Sequence, residues 1–228
     1  MASGDVSSPK FDDKLKSFVQ TLNSIKSNNK TPNWIKPLLD SMKTFATDVA
    51  THVEQLHSTT EVSKRVSSQL EASVKSLTDD LDDLQQYSRR TCLLIHGVAE
   101  EESENVEAKV FDVINKEVKA DLETKDVSRT HRLGKKRTDN KPRPIIVRFL
   151  SYRQRKQVFD KKKALKGKKI VITENLTKSR YTLLQKCKDF FEKENVWTYD
   201  GRICCKHNEK KLVFTNIGEF EDFCSEDQ

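Results

Sequence analysis

Four arginines stand close together in the second half of the chain, at positions suited to binding a polyanion. They are Arg143, Arg148, Arg153 and Arg155. A planar guanidinium pairs with a phosphate through two hydrogen bonds and also stacks on a nucleobase. The stretch from Ser128 to Val171 contains 17 Lys or Arg and only 2 acidic residues, a surplus of +15. This surplus predicts nucleic-acid binding, because neutralising phosphates releases condensed counterions.

Further cations accompany these arginines, and some of them have an alternative role that involves no ligand. Some of them, especially Lys161 to Lys163, could simply solvate a helix face. Tyr199 is as well suited to pack across its own hairpin as to touch a ligand. The loop candidates for nucleic-acid contact are Arg132, Lys135, Lys136, Arg137 and Lys141, and the C-terminal candidates are Arg180, Tyr181, Tyr199 and Arg202.

No pattern for catalysis or metal binding accompanies the basic cluster. The sequence has no phosphate-binding loop, no glycine-rich dinucleotide turn, no nucleophile elbow and no paired zinc-ligand helix. Cys204, Cys205 and His207 lack a fourth ligand at ordinary spacing, and adjacent strand residues point to opposite faces. We therefore expect no enzyme activity, no metal and no cofactor.

Composition favours a soluble protein of one or two domains in a reducing compartment. The 228 residues are 35% hydrophobic and 34% charged, which leaves material for a modest core. The five cysteines are an odd number without framework spacing, which fits free thiols. No apolar run approaches the roughly 18 residues needed to span a bilayer. We expect a cytoplasmic or nuclear protein without a membrane partner.

Residues 38–88 carry an apolar heptad repeat without Gly or Pro, and their net charge is negative. A narrow stripe on so long a helix cannot be buried against a small domain, so we expect self-association. A hairpin of two helices within this run is the alternative. The polar residues in the middle of the repeat either fix the register of the associating helices or mark a stutter in the seven-residue spacing. The predicted association positions are Leu39, Met42, Val49, Val53, Leu56, Leu70, Val74, Leu77, Leu81 and Leu84.

Strand and helix patterns alternate after the heptads, and their order predicts a fold. The order is β-α-β-β-α-β, the split-βαβ ferredoxin-like arrangement that RNA-recognition motifs use. Such a motif ordinarily stacks bases on exposed rings, yet His96 is the only ring within the first strand, and Phe149 is expected to pack inward. The strands are predicted over 91–98, 127–133, 145–149 and 170–172, and the helices from about Ser103 and from a capping box of Ser151 and Gln154.

A second small α+β segment ends the chain. A helix is predicted over 177–194, and Asp200-Gly201 indicates a hairpin between two short strands. A third strand and a helix capped by Asn216 and Glu219 should follow. The predicted class is α+β, with boundaries at 1–37 for a segment with a short amphipathic helix from about Phe11 to Ile25, 38–88 for the coiled coil, 89–175 for the RNA-recognition-motif-like domain and 176–228 for the C-terminal domain.

Three features in this order resemble the first-open-reading-frame protein of LINE-type non-LTR retrotransposons. The heptads are followed by Arg89-Arg90-Thr91-Cys92-Leu93-Leu94-Ile95-His96-Gly97-Val98-Ala99-Glu100, then by Pro142-Arg143-Pro144-Ile145-Ile146-Val147-Arg148-Phe149 and by Leu165-Lys166-Gly167-Lys168. The resemblance covers roughly residues 39–228. It implies a trimeric coiled coil, a non-standard RNA-recognition motif and a C-terminal domain. The motifs add Arg89, Arg90 and Lys168 to the candidate nucleic-acid contacts.

The resemblance also implies a function. The expected activity is binding of single-stranded RNA, with single-stranded DNA as a second ligand, together with nucleic-acid chaperone activity in ribonucleoprotein particles of the element. Cytoplasmic ribonucleoprotein granules are then one expected location. The alternative is a domesticated host scaffold or regulatory protein that works mainly through protein partners. A coiled-coil DNA-binding protein is less favoured, because the basic residues lie in a β-rich domain rather than continuing the helix.

Overall fold

The protein is α+β, with one long helix near its N-terminus and two antiparallel sheets after it, as the sequence predicts at this coarse level. The computed structural model describes residues 9–136 and 141–226. The chain divides into two compact units, a helical unit over 1–76 and an α+β unit over 77–228. Arg137, one of the predicted contacts, lies outside the described residues.

Two helices of the helical unit fold back on each other. The ammonium of Lys26 pairs with the carboxylate of Asp40, and Leu15 lines a groove together with Val53. These contacts show that the helices run antiparallel. The predicted amphipathic helix from Phe11 to Ile25 is therefore the first arm of a hairpin. Its arms are α1 (Pro9–Ser27) and α2 (Lys36–Arg89), the second of which has 54 residues.

The hairpin corrects one part of the heptad prediction. Leu39 and Ala46 are buried, as is Leu22 of α1, and Val53 is half-buried. The early seam thus has an apolar partner in its own chain, and Leu39 is covered there rather than left open for the predicted contact between copies. The exposed predicted positions lie beside or beyond the buried ones: Met42, Leu56, Leu70, Val74, Leu77, Leu81 and Leu84.

The first sheet has the strand order β2-β3-β1-β4, and every neighbouring pair is antiparallel. Alternate residues of its strands face a core under the helices, among them Leu93, Ile95, Val147 and Phe149. Phe149 packs inward, as predicted. The elements are β1 (Cys92–His96), α3 (Val106–Phe111), β2 (Val127–Arg132), β3 (Ile145–Phe149), α4 (Tyr152–Lys161) and β4 (Val171–Glu174).

Helix ends in this part follow the sequence only partly. Asn105 accepts the Ala108 N–H and starts α3, which continues as a π-helical turn over Asp112–Glu117. Ser151 precedes α4 as predicted, but its hydroxyl contacts the side chain of Gln154 instead of accepting a backbone N–H. The predicted capping box is therefore absent at this end of α4.

The C-terminal part is a three-stranded sheet covered by two helices. Asp200 and Gly201 both have positive φ, of 53° and 76°, as the predicted two-residue hairpin turn requires. The Glu219 N–H bonds to the Asn216 side chain at the last helix, as predicted. The elements are α5 (Lys178–Phe190), β5 (Val196–Tyr199), β6 (Arg202–His207), β7 (Lys210–Phe214) and α6 (Ile217–Glu226).

The last turns of α2 are fixed to the start of α5. The Gln86 side chain is buried, donates to the Asn175 carbonyl and accepts the Thr177 N–H. Arg89 donates to the Leu176 carbonyl at 2.7 Å. These bonds hold the segment between the two sheets in one position, and a candidate site lies beside it.

Candidate nucleic-acid interface

The face of the first sheet away from the helices carries two arginines directly opposite each other. Arg129 on β2 is the register partner of Arg148 on β3, and both are exposed. Neither forms an ion pair with a carboxylate among the described residues. Like charges facing across two strands destabilise a sheet. A bound anion such as a phosphate would reverse the sign of that interaction.

The same sheet face continues into a cavity of about 850 Å³. Leu94, His96 and Thr173 of the sheet form one wall, and residues of α5 and β5 form the other. His96 Nε2 and Thr173 Oγ1 share a hydrogen bond of 2.9 Å. Burial lowers the pKa of His96, so the imidazole is neutral at pH 7. The cavity and the open sheet face together form a continuous surface, which we call the cleft.

Cations outnumber carboxylates around the cavity. Arg89, Lys178 and Lys188 line it, as does Lys162, whose pKa is lowered by burial. Glu174 is the single carboxylate of the lining, and it is already paired with an arginine. The cavity therefore has a positive potential suited to a polyanion.

Aromatic rings lie on the C-terminal side of the cleft. Tyr181 and Trp197 line the cavity and are partly exposed. The Lys211 ammonium lies about 6 Å from the rings of both Trp197 and Tyr199, which is at the outer limit of a cation–π contact. Rings flanked by cations can stack on bases while the cations hold phosphates.

Arg132 is a structural residue in this fold. Its side chain is only 4% exposed, and its guanidinium donates to both oxygens of Glu104 and to the carbonyls of Val98, Ala99 and Arg143. Hydrogen bonds from Arg132 lower the Glu104 pKa to about 2. With its donors occupied inside the protein, Arg132 is not available for the predicted phosphate contact in this fold.

Arg155 is also enclosed. Its side chain is 4% exposed and pairs with Glu174, which is 2% exposed. The guanidinium lies over the Phe159 ring, 4.6 Å from its centroid. Arg155, Val158 and Phe159 are all buried on one face of α4. In this fold Arg155 is not available for the predicted contact with nucleic acid, because its charge is paired in the interior.

Arg180 fixes α5 to the end of α2. It pairs with Asp82 at 2.8 Å and with Asp83, and it donates to the Gly201 carbonyl at 2.8 Å. Its side chain is 6% exposed. Arg180 is not available for the predicted ligand contact for the same physical reason as Arg155.

The other predicted contacts lie nearer the surface, and several of them have ion-pair or ring partners. Arg143 pairs with Glu100 and bonds to the Gly134 carbonyl, Lys168 pairs with Glu117, and the Arg90 guanidinium lies 3.8 Å over the Tyr87 ring. These side chains are available only in part. The exposed predicted contacts are Lys135, Lys136, Lys141, Arg148, Arg153, Tyr181, Tyr199 and Arg202.

Sequence reasoning missed Arg129, Trp197, Lys188 and Lys211. Arg129 stands two residues before His131, and exposure alternates from Arg129 to Arg132, so a period-two pattern could have placed it on the open face. Trp197 lies next to the buried Val196, which again predicts an outward ring. Nothing in the sequence indicates that Lys188 of α5 approaches the first sheet.

Two surveys of the described residues are negative. No group of three or more His, Cys, Asp or Glu in 9–136 and 141–226 is placed to hold a metal ion. Within the same residues, no helix combines the length and the apolar character needed to cross a membrane. Comparison of the sequence with protein-family models and with curated proteins finds no match.

Proposed function

We propose that this protein binds single-stranded RNA along the cleft. The observation that carries the proposal is the Arg129–Arg148 pair on the open sheet face. Two unpaired guanidinium groups across one register position are costly in the free protein and suited to a phosphate backbone. The adjoining cavity adds four further cations and the rings of Tyr181 and Trp197.

The strand order supports an RNA-recognition-motif-like domain over residues 89–175. A βαββαβ chain with the order β2-β3-β1-β4 has the ferredoxin-like topology of that motif. The open face lacks the usual exposed rings on β1 and β3 and presents Leu94, Ile146 and Arg148 instead. Stacking in this domain would therefore pass to the C-terminal wall of the cleft.

Single strands fit this surface better than duplex. The rings of Tyr181 and Trp197 line a cavity of about 850 Å³, where an unpaired base can lie on them, whereas both faces of a base in a duplex are covered by its stacked neighbours. Stacking on aromatic rings contributes about 1–3 kcal/mol per base and tolerates any sequence. Phosphate contacts likewise carry no sequence information. We infer a general single-strand binder, with nucleic-acid chaperone activity arising from many moderate contacts.

The resemblance to retrotransposon proteins gives this activity a context. We propose that the protein coats an element's RNA as an oligomer, in which several clefts raise the affinity for one strand. Melting of mismatched duplexes and acceleration of strand annealing are the activities to measure. A protein that binds single strands but changes neither rate would lack the chaperone part of the proposed function.

Tryptophan fluorescence tests the cleft directly. Trp34 and Trp197 are the only two tryptophans, so Trp34→Phe leaves Trp197 as the sole reporter. Stacking of a base on its ring should quench the emission when an unstructured RNA oligonucleotide is titrated in. The matched control is Trp197→Phe, which leaves the exposed Trp34 of the helical unit and should show no change. Equal quenching of both variants, or of neither, would reject the cleft as the binding site.

A further inference from the structure

One side of the α1–α2 hairpin carries an uncovered apolar surface with a seven-residue repeat in both helices. On α1 the repeat consists of Phe11, Phe18 and Ile25. On α2 it consists of Met42, Val49 and Leu56. All except the half-buried Val49 are exposed large apolar side chains. We call these six residues the hairpin face.

The six residues lie on one side of the hairpin. The antiparallel register set by Lys26 and Asp40 places Ile25 at the level of Met42, and steps of seven residues then bring Phe18 to Val49 and Phe11 to Leu56. The other side of the hairpin is a polar groove lined by Asp12 and Lys16 of α1 and by Glu54 and His57 of α2. A rotation of 100° per residue puts the apolar repeat opposite that polar side.

The exposed area is large for a surface that faces water. Leu56 is 66% exposed, and Phe45, which flanks the hairpin face, is 71% exposed. With Leu38 beside them, these side chains expose roughly 700 Å² per copy, close to the about 800 Å² that each partner contributes to an interface of standard size. Contiguous apolar patches of this size mark interaction sites.

We propose that the hairpin face binds the hairpin face of a second copy of this chain. The repeat of seven residues on both helices is the spacing with which helices pack side by side in bundles. Exposed Leu70 and Val74 continue the apolar repeat along α2 in the same unit, so a second copy can cover both. The six residues carry no charge that would select a different partner.

The consequence is an assembly in which α1 takes part. The sequence predicts association through a bare α2 helix, whereas the hairpin presents two helices from each copy along residues 38–56. Each layer of the hairpin face joins one side chain from α1 to one from α2, so α1 contributes three of its six side chains. This inference does not rest on nucleic-acid binding, and it is tested without RNA.

The test compares two double variants of α1 in the full chain. Phe18→Glu with Ile25→Glu places two charges on the hairpin face. Ser17→Glu with Ser24→Glu places the same two charges on the outer side of α1, where both serines are exposed. Mass photometry and sedimentation velocity over a concentration series should show association at least tenfold weaker for the first pair and unchanged for the second. Circular dichroism reports whether α1 stays helical.

A third variant separates loss of contact from loss of folding. Phe18→Leu with Ile25→Leu keeps the surface apolar and should associate like the unmodified protein. A monomeric mass of the unmodified chain would overturn the proposal and leave the face to another protein. Unchanged association of the Phe18→Glu, Ile25→Glu variant, or equal weakening in the serine pair, would overturn it as well.

Discussion

Arg155→Ala should lower the denaturant concentration at which the α+β unit unfolds, and it should remove no RNA contact. The variant leaves the Glu174 carboxylate, now 2% exposed, without its cation. Its other hydrogen bond comes from the Gly201 N–H at 3.3 Å. Removing one member of a buried ion pair costs about 3–5 kcal/mol. In a unit of this size the midpoint of thermal unfolding should fall by roughly 6–20 °C.

The assay is urea unfolding followed by the emission of Trp197 in a Trp34→Phe background. Arg148→Ala is the matched control, because it removes the same kind of side chain from the exposed face of β3. Its free energy of unfolding should stay within about 0.5 kcal/mol of the parent. RNA affinity measured below the transition should drop for Arg148→Ala and stay nearly constant for Arg155→Ala.

A double variant tests the cause of the destabilisation. Arg155→Met with Glu174→Gln removes both charges and keeps an acceptor for the Gly201 N–H, so most of the lost stability should return. The prediction would be refuted if Arg155→Ala lowered the free energy of unfolding by less than about 1 kcal/mol and clearly lowered the RNA affinity. Arg155 would then contact the ligand, and its ion pair with Glu174 would not be its main contribution.

Three further outcomes are expected. Hydrogen bonds from Arg132 hold the pKa of Glu104 near 2 instead of 4.5. The ionised Glu104 therefore stabilises the fold fully above pH 4.5, and this stabilisation is lost as the pH falls towards 2. Glu104→Gln should remove this acid-dependent part from the free energy of unfolding measured against pH. Leu70→Asp with Leu77→Asp should weaken self-association in sedimentation velocity while the thermal unfolding of the α+β unit persists, because both leucines are exposed on α2; unchanged association would contradict the heptad prediction. A thiol reagent should modify Cys224 first in the native protein, since the other four cysteines are buried, and rapid reaction of all five would show that the C-terminal core opens readily.

Much of the fold follows from local pattern. The β-branched run at 145–149 and the apolar run after Arg90 became adjacent strands, because alternate residues of each can share one core. The hairpin at Asp200 and Gly201 follows from turn chemistry alone. The fold-back of α1 onto α2 did not follow, since an amphipathic stripe states how much apolar surface must be covered but not by which element.

The candidate site could be predicted as a region but not residue by residue. Charge counting locates the basic segment, but it cannot tell which arginine has a carboxylate opposite it in the fold. Arg132 and Arg180 find Glu104 and Asp82 across 28 and 98 residues. Arg155 is the exception, because its position on the apolar face of α4, three residues before Val158, already indicates burial.

The most direct test of the cleft is the salt dependence of RNA affinity in two matched double variants. Arg129→Ala with Arg148→Ala removes two charges from the open sheet face, and Lys116→Ala with Lys161→Ala removes two from the helices on the other face. For a single strand, the logarithm of affinity falls with the logarithm of salt concentration by about 0.7 per phosphate contact. The account predicts a slope shallower by about 1.4 for the arginine pair and an unchanged slope for the lysine pair. Equal changes in both pairs, or none in the arginine pair, would contradict binding along the cleft.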